Sequence, residues 1–175
     1  STHPDEEGLQ AILDSYYGYN KYCEDGVYVA SSSGDFYIAK DSDKKMANPT
    51  AETWYSQGLT SVNMNYGTTY LNDDGESVIS ASGILDDGSG QLKVIAADLS
   101  LDQISIIVNS GVKMDSAASF LVDSNDNTIL AHRDSSRIST QLTTSDSDAL
   151  MAAIANKLVA RDYNTVALNG YEVAF

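Results

Sequence analysis

The chain has 175 residues, 42% of them apolar and 9% aromatic, enough for one substantial core, or for one complete module and part of a second. Twenty-five acidic against 10 basic residues give a formal charge of −15, the wrong sign for nucleic acid and unfavourable for anionic lipid. Cys23 is the only cysteine, so no disulfide closes within the chain; no apolar run approaches the ~18 residues of a membrane span, and no charged-then-apolar leader opens the sequence.

Residues 6–23 place Leu9, Ile12, Leu13, Tyr16 and Tyr17 at helical spacing and predict an N-terminal helix with one apolar stripe. Gly18 weakens it by about 1 kcal/mol relative to alanine. Val27–Ala30 and Phe36–Ala39 read as short strands joined by a hairpin connection over Ser31–Asp35. Asn48 and Pro49 suit the cap and first position of a short helix that carries Trp54 and Tyr55 and is limited by Gly58. Strands follow over 66–71, 77–85 and 91–98, separated by Asn72-Asp73-Asp74-Gly75 and by Asp86-Asp87-Gly88-Ser89-Gly90, both rich in turn-forming residues. Ser100 and Gln103 have capping-box spacing at the start of a helix whose Leu101, Ile104, Ile107 and Val108 share a face.

A second unit begins near residue 117. Ser119–Val122 and Thr128–Ala131 form a hairpin around Asp123–Asn127, residues 134–146 are polar and irregular, and 147–160 is a helix. Thr165–Leu168 and Tyr171–Phe175 pair around Asn169-Gly170. This is an α+β chain: a long N-terminal helix (1–25), an antiparallel sheet module (26–112) and a second, incomplete module (113–175). The final strand stops without a turn, which favours a soluble part of something larger.

Catalytic signatures are missing. The phosphate-binding glycine loops and the Gly-x-Ser-x-Gly elbow are absent, and no motif asks for a cofactor. His3 and His132 are the only histidines, and His132, with Asp134 or Asp123 nearby, reads as a local hydrogen-bond partner. Asp123, Asn125 and Asn127 begin a calcium-loop spacing that breaks at Thr128 and Asp134, so a hairpin turn explains them better than a metal. The residues suited to a small polar ligand lie around the first sheet. Trp54 and Tyr55 are adjacent, so one enters the core while the other lines a cavity. Tyr70 and Asn72 close one strand. Asp98 ends the apolar run Val94-Ile95-Ala96-Ala97 and is either a cap for the next helix or an anchor for a ligand.

Glu52-Thr53-Trp54-Tyr55, Tyr70-Leu71-Asn72 and Val94–Asp98 followed by Leu99-Ser100-Leu101, with Phe120–Asp123 and Ile129–His132 beyond, resemble in order and spacing the double-Cache sensor domains of bacterial chemotaxis receptors and sensor kinases. The resemblance implies two PAS-like modules outside the membrane. The membrane-distal one would hold the ligand, the protein would form a homodimer in the full-length receptor, and it would meet the membrane only through spans absent from this chain. In relatives that bind amino acids, an arginine in the first motif holds the ligand carboxylate and two aspartates hold its amino group. Glu52 stands here in place of that arginine and Asn72 in place of the first aspartate; Trp54, Tyr55, Tyr70 and Asp98 match. The expected site is Glu52, Trp54, Tyr55, Tyr70, Asn72 and Asp98. Its ligand would be a small polar molecule, an amine, an amino acid or a neutral donor-rich compound. Lys44 and Lys45 could take the missing arginine's role, and Glu52 could face the pocket or solvent. The competing readings are a structural or adhesive surface domain, for which Asp98 would merely cap the next helix, and a hydrolase built around His132.

Overall fold

A computed structural model describes the backbone of residues 4–175 and the side chains from Glu7 onward; His3 lies outside the described residues. Helix α1 spans Pro4–Tyr16. The helix expected over 6–23 therefore ends early, because Gly18 takes φ +65° and Gly26 φ +67°, the left-handed region that reverses a helix end. Gly26 sits so close to the end of α1 that a Cβ would lie 2.8 Å from the Tyr16 carbonyl carbon. Of the predicted stripe only Leu13 is fully buried; Ile12, Tyr16 and Tyr17 remain exposed.

Strands β1 (Tyr28–Ser31), β2 (Phe36–Tyr37), β3 (Asn65–Leu71), β4 (Ser77–Leu85) and β5 (Lys93–Ser100) form one sheet in the order β2-β1-β5-β4-β3. Every neighbouring pair is antiparallel, as the short alternating runs and tight turns require. The β1–β2 turn is held by Asp35, whose carboxylate accepts from Ser31 and Ser33. Between β2 and β3 the chain runs through an irregular segment, a 3-10 turn at Pro49–Ala51 and helix α2 (Thr53–Gly58). Asn48 does not cap a backbone amide of the turn it precedes; its Oδ1 accepts instead from the Thr50 hydroxyl at 3.2 Å. Helix α2 lies on the sheet at close range because Gly58 has no side chain: a Cβ there would come 2.3 Å from Val94 Cγ1.

Alternation along the strands sets the core. Tyr28 and Ala30 on β1, and Val94 and Ala96 on β5, share one sheet face and pack against Trp54 and Tyr55 of α2. Asp98 is the next residue in that series on β5. Helix α3 (Leu101–Ser110) follows directly, and its cap is the Ser100 hydroxyl, which accepts the Gln103 amide at 3.4 Å. Asp98 plays no part in that cap.

The chain divides into two compact units, one ending at Gln103 and the other beginning at Ile104. The second contains the hairpin β6 (Leu121–Val122) and β7 (Ile129–Ala131), helix α4 (Ala149–Val159) and the hairpin β8 (Val166–Leu168) and β9 (Tyr171–Val173). The two hairpins are separate two-stranded sheets. Asp148 caps α4 by accepting from the Leu150 and Met151 amides. Asn169 and Gly170 both take positive φ, as the two-residue turn between β8 and β9 demands. The core of this unit is Ile129, Leu142, Met151, Ile154 and Ala155. Leu142 comes from the stretch that the sequence marks as polar and irregular.

Candidate functional site

Two facing strands and one tyrosine from each of two others build a polar nest at the edge of the first core. Ser80 on β4 stands directly opposite Asp98 on β5, and Ala96, two residues before Asp98, stands opposite Tyr28 on β1. Ser80 is therefore Asp98's cross-strand partner, and Tyr28 is its diagonal neighbour, within reach of an aromatic side chain. Asp98 Oδ1 accepts from the Tyr28 hydroxyl at 2.7 Å, from the Tyr70 hydroxyl at 3.0 Å and from the Ser80 hydroxyl. Its other oxygen, Oδ2, accepts from Lys44 Nζ at 2.8 Å. Lys44 also lies 3.4 Å from Asp25 Oδ2 and 4.9 Å from the centre of the Tyr28 ring, a cation–π distance.

Outside this nest is a cavity of about 350 Å³ lined by Tyr17, Asp25, Asp43, Lys44, Lys45, Met46, Glu52, Tyr70, Asn72, Asp73 and Asp74. Its wall carries five carboxylates and two ammonium groups, and one of the latter, Lys44, is already paired with Asp98 behind it. Lys45 is exposed at the rim.

The ionisation of these groups follows from their neighbours. Burial pushes the Asp98 carboxyl upward, but the Lys44 charge and the hydrogen bonds from Lys44, Ser80 and Tyr28 outweigh it and hold the group below the ordinary carboxylate value. Burial pulls Lys44 down, and the charges and hydrogen bonds of Asp98 and Asp25 bring it above the ordinary lysine value. Burial and the adjacent Asp98 charge raise both Tyr28 and Tyr70, so both hydroxyls stay protonated donors. Glu52 is raised by partial burial and by the charges of Asp73 and Asp98, with Lys44 opposing.

Of the residues expected at the site, Tyr70, Asp98, Glu52 and Asn72 come together at or directly behind the cavity. Trp54 and Tyr55 do not line it. Trp54 is fully buried and Tyr55 nearly so, and the expectation that one of them would face a cavity is corrected: both pack into the core. They are edge-on to each other, and Trp54 is edge-on to Tyr28, so they support the nest from beneath. Asn72 spends its side-chain oxygen on the Asp74 and Glu76 amides, which shapes the turn after β3. Lys44, suggested as a stand-in for an arginine that holds a ligand carboxylate, is instead committed to Asp98.

Tyr28, Ser80 and Asp25 were missed. Ser80 carries a signal, since a serine inside the run Val78-Ile79-Ser80-Ala81 is a polar group that burial forces to find a partner. Tyr28 reads as an ordinary strand aromatic, and Asp25 as a turn residue.

The alternative chemistry has a local explanation. His132 Nδ1 accepts from the Asp134 amide at 2.9 Å, and its ring packs 5.8 Å from Phe120. Asp123 Oδ1 accepts from the Asn125 amide, and Asn127 takes φ 61°, which is a hairpin turn. Among the described residues no group of three or more histidine, cysteine or acidic side chains is placed to hold a metal, and no helix is long and apolar enough to cross a membrane.

No family model and no curated protein matches the chain. Solved structures do. The ligand-binding domain of the Pseudomonas fluorescens chemoreceptor CtaA, in complex with L-serine, superposes with a TM-score of 0.67 at 20% identity, covering 97% of this chain and 70% of that one. The ligand-binding domain of the Pseudomonas aeruginosa amino acid chemoreceptor PctB, with L-Gln, gives 0.62 at 23%, covering 80% and 57%. That of PctC from the same organism, with GABA, gives 0.63 at 21%, covering 85% and 68%. The chain has the fold of a chemoreceptor ligand-binding domain. The chain spans 57–70% of the length of these three domains.

Proposed function

We propose that the chain is the extracytoplasmic small-molecule-sensing part of a bacterial transmembrane signalling receptor and has no catalytic role. Its N-terminal unit binds a small polar ligand in the cavity in front of Asp98, and the ligand is an amine. The observation that carries this reading is the nest around Asp98: a buried carboxylate beside a tyrosine face and two tyrosine hydroxyls, opening toward an acidic cavity. Charge-assisted hydrogen bonds and an aromatic face are what a primary ammonium needs. The chemoreceptor domains named above were solved with serine, glutamine and GABA, each of which carries such a group.

The wall also argues against a ligand held by its carboxylate. Glu52, Asp73 and Asp74 would repel an anion, and Lys44 is spent on Asp98. Dimerisation and anchorage by flanking spans belong to the same reading, and the exposed Ile12 and Tyr16 of α1, with Tyr17 just beyond it, offer the first an apolar surface. A structural surface domain would have no use for a buried carboxylate surrounded by four donors beside a cavity.

Calorimetric titration of the 175-residue protein with 1,4-diaminobutane, L-serine, GABA and succinate tests this. The expected result is binding of the diamine, weaker or no binding of the two amino acids, and none of succinate. Asp98→Asn should weaken the diamine by about 2–5 kcal/mol, as loss of a buried charged partner does. Binding of succinate without any amine would reject the reading.

A further inference from the structure

The inner end of the cavity is filled by the chain itself. Lys44 Nζ has the two carboxylates Asp98 and Asp25 at 2.8 and 3.4 Å and the Tyr28 ring at 4.9 Å, and its side chain is 15% exposed. Those are the groups a primary ammonium from solution would use. Three hydroxyls converge on Oδ1, and Lys44 is the donor on Oδ2, so a ligand ammonium that takes the Oδ2 position between Asp98, Asp25 and the Tyr28 ring competes with Lys44 for it. The three hydroxyls, of Tyr28, Tyr70 and Ser80, are fixed on β1, β3 and β4. Lys44 alone stands on the irregular segment between β2 and the 3-10 turn, the segment that also brings Asp43, Lys45 and Met46 to the cavity wall.

We propose that Lys44 is a tethered occupant of the ammonium subsite, and that a ligand amine binds by replacing it on Asp98 while Lys44 swings out. The proposal rests on the reading of the cavity as an amine site and adds the device that sets its threshold. An intramolecular competitor lowers the apparent affinity by the fraction of molecules in which it has left, so the site answers only to amines abundant enough to win. The same exchange moves something outside the pocket. Gln10 Nε2 on α1 donates to the Ile38 carbonyl at 2.9 Å, and the Lys40 amide donates to Asp14 on α1 at 2.9 Å. The segment that Lys44 leaves with is thus bonded to the N-terminal helix.

The test uses n-butylamine, which reproduces the lysine side chain, and 1,4-diaminobutane. In Lys44→Ala, n-butylamine should raise the thermal midpoint saturably, whereas wild type and the Lys44→Ala/Asp98→Asn double variant should respond weakly or not at all. Diaminobutane should bind Lys44→Ala at least about tenfold more tightly than wild type. Should Lys44→Ala fail to fold, wild type supplies the measurement: saturating diaminobutane should speed hydrogen exchange of the Ser42 and Lys44 amides, which bond to the Ala39 carbonyl and the Ser42 hydroxyl. Equal amine affinity in wild type and variant, or unchanged exchange in wild type with diaminobutane bound, overturns the tethered occupant and leaves the amine site standing. No response to any amine in either protein overturns both.

Discussion

Asp98 and Lys44 decide the chemistry of the site because each makes the other's charge tolerable in a place where water is scarce; their side chains are 10% and 15% exposed. The pH dependence of this pair has a definite sign. Asp98 is held below the ordinary value of 3.8, so its contribution is complete above that value and is lost as pH falls through the lower, folded-state value. Lys44 is raised above 10.5, so its contribution is complete below 10.5 and is lost as pH rises through the higher, folded-state value. Between about pH 5 and 10 the pair should therefore contribute a constant amount. Asp98→Asn should cost about 3 kcal/mol in that window, since it strands a buried ammonium. Thermal melts of wild type and variant from pH 3 to 11 check this: the gap between them should be widest in the middle and narrow at both ends. A gap independent of pH would mean that the pair is not ionised in the folded protein. The motif resemblance pointed to Asp98 and Tyr70, and the nest contains both. It could not reveal Lys44's role, because no local spacing links a lysine on an irregular segment to a carboxylate 54 residues away.

The elements follow from short-range rules where those rules suffice. Strand β4 and its two turns are legible because alternation and Asp/Gly-rich connections act within a few residues. The end of α1 is not, since the apolar stripe runs on to Tyr17, past the last helical residue Tyr16, and only the left-handed backbone of Gly18 marks the stop. Nor was the fate of Trp54 and Tyr55: both fall in the core because α2 is pressed onto the sheet, and that closeness depends on glycines whose contacts lie far off in sequence. Gly83 on β4 allows a similar close approach, by the segment before β3. A Cβ there would lie 2.9 Å from the Asn63 carbonyl carbon and from the Met64 amide nitrogen, both backbone atoms that cannot rotate away. Gly83→Ala should cost about 1–3 kcal/mol through overpacking, read as a lower denaturant midpoint with an unchanged slope. A variant as stable as wild type would show that the segment before β3 yields without loss.

At the scale of the whole molecule, the −15 charge and the antiparallel α+β plan are consequences of composition and patterning, and both are visible in the sequence. What one sequence withholds is how separate strands converge: β1, β3, β4 and β5 each send one group to the same point, and only the sheet order β1-β5-β4-β3 makes them neighbours. On the proposed reading, that convergence turns an acidic surface, otherwise a matter of solubility, into a site with a preferred ligand charge. A sensing role requires the site to exist in two states, and the proposed exchange supplies them: Lys44 on Asp98 in one, the ligand amine in the other. The most direct test is a crystal structure of the protein with 1,4-diaminobutane. It should place one amine nitrogen about 3 Å from Asp98, between the Tyr28 ring and the Tyr70 hydroxyl, with the other end toward Glu52 and Asp73 and Lys44 withdrawn. Diamine bound elsewhere, with Lys44 still on Asp98 and the cavity holding only water, would contradict the account.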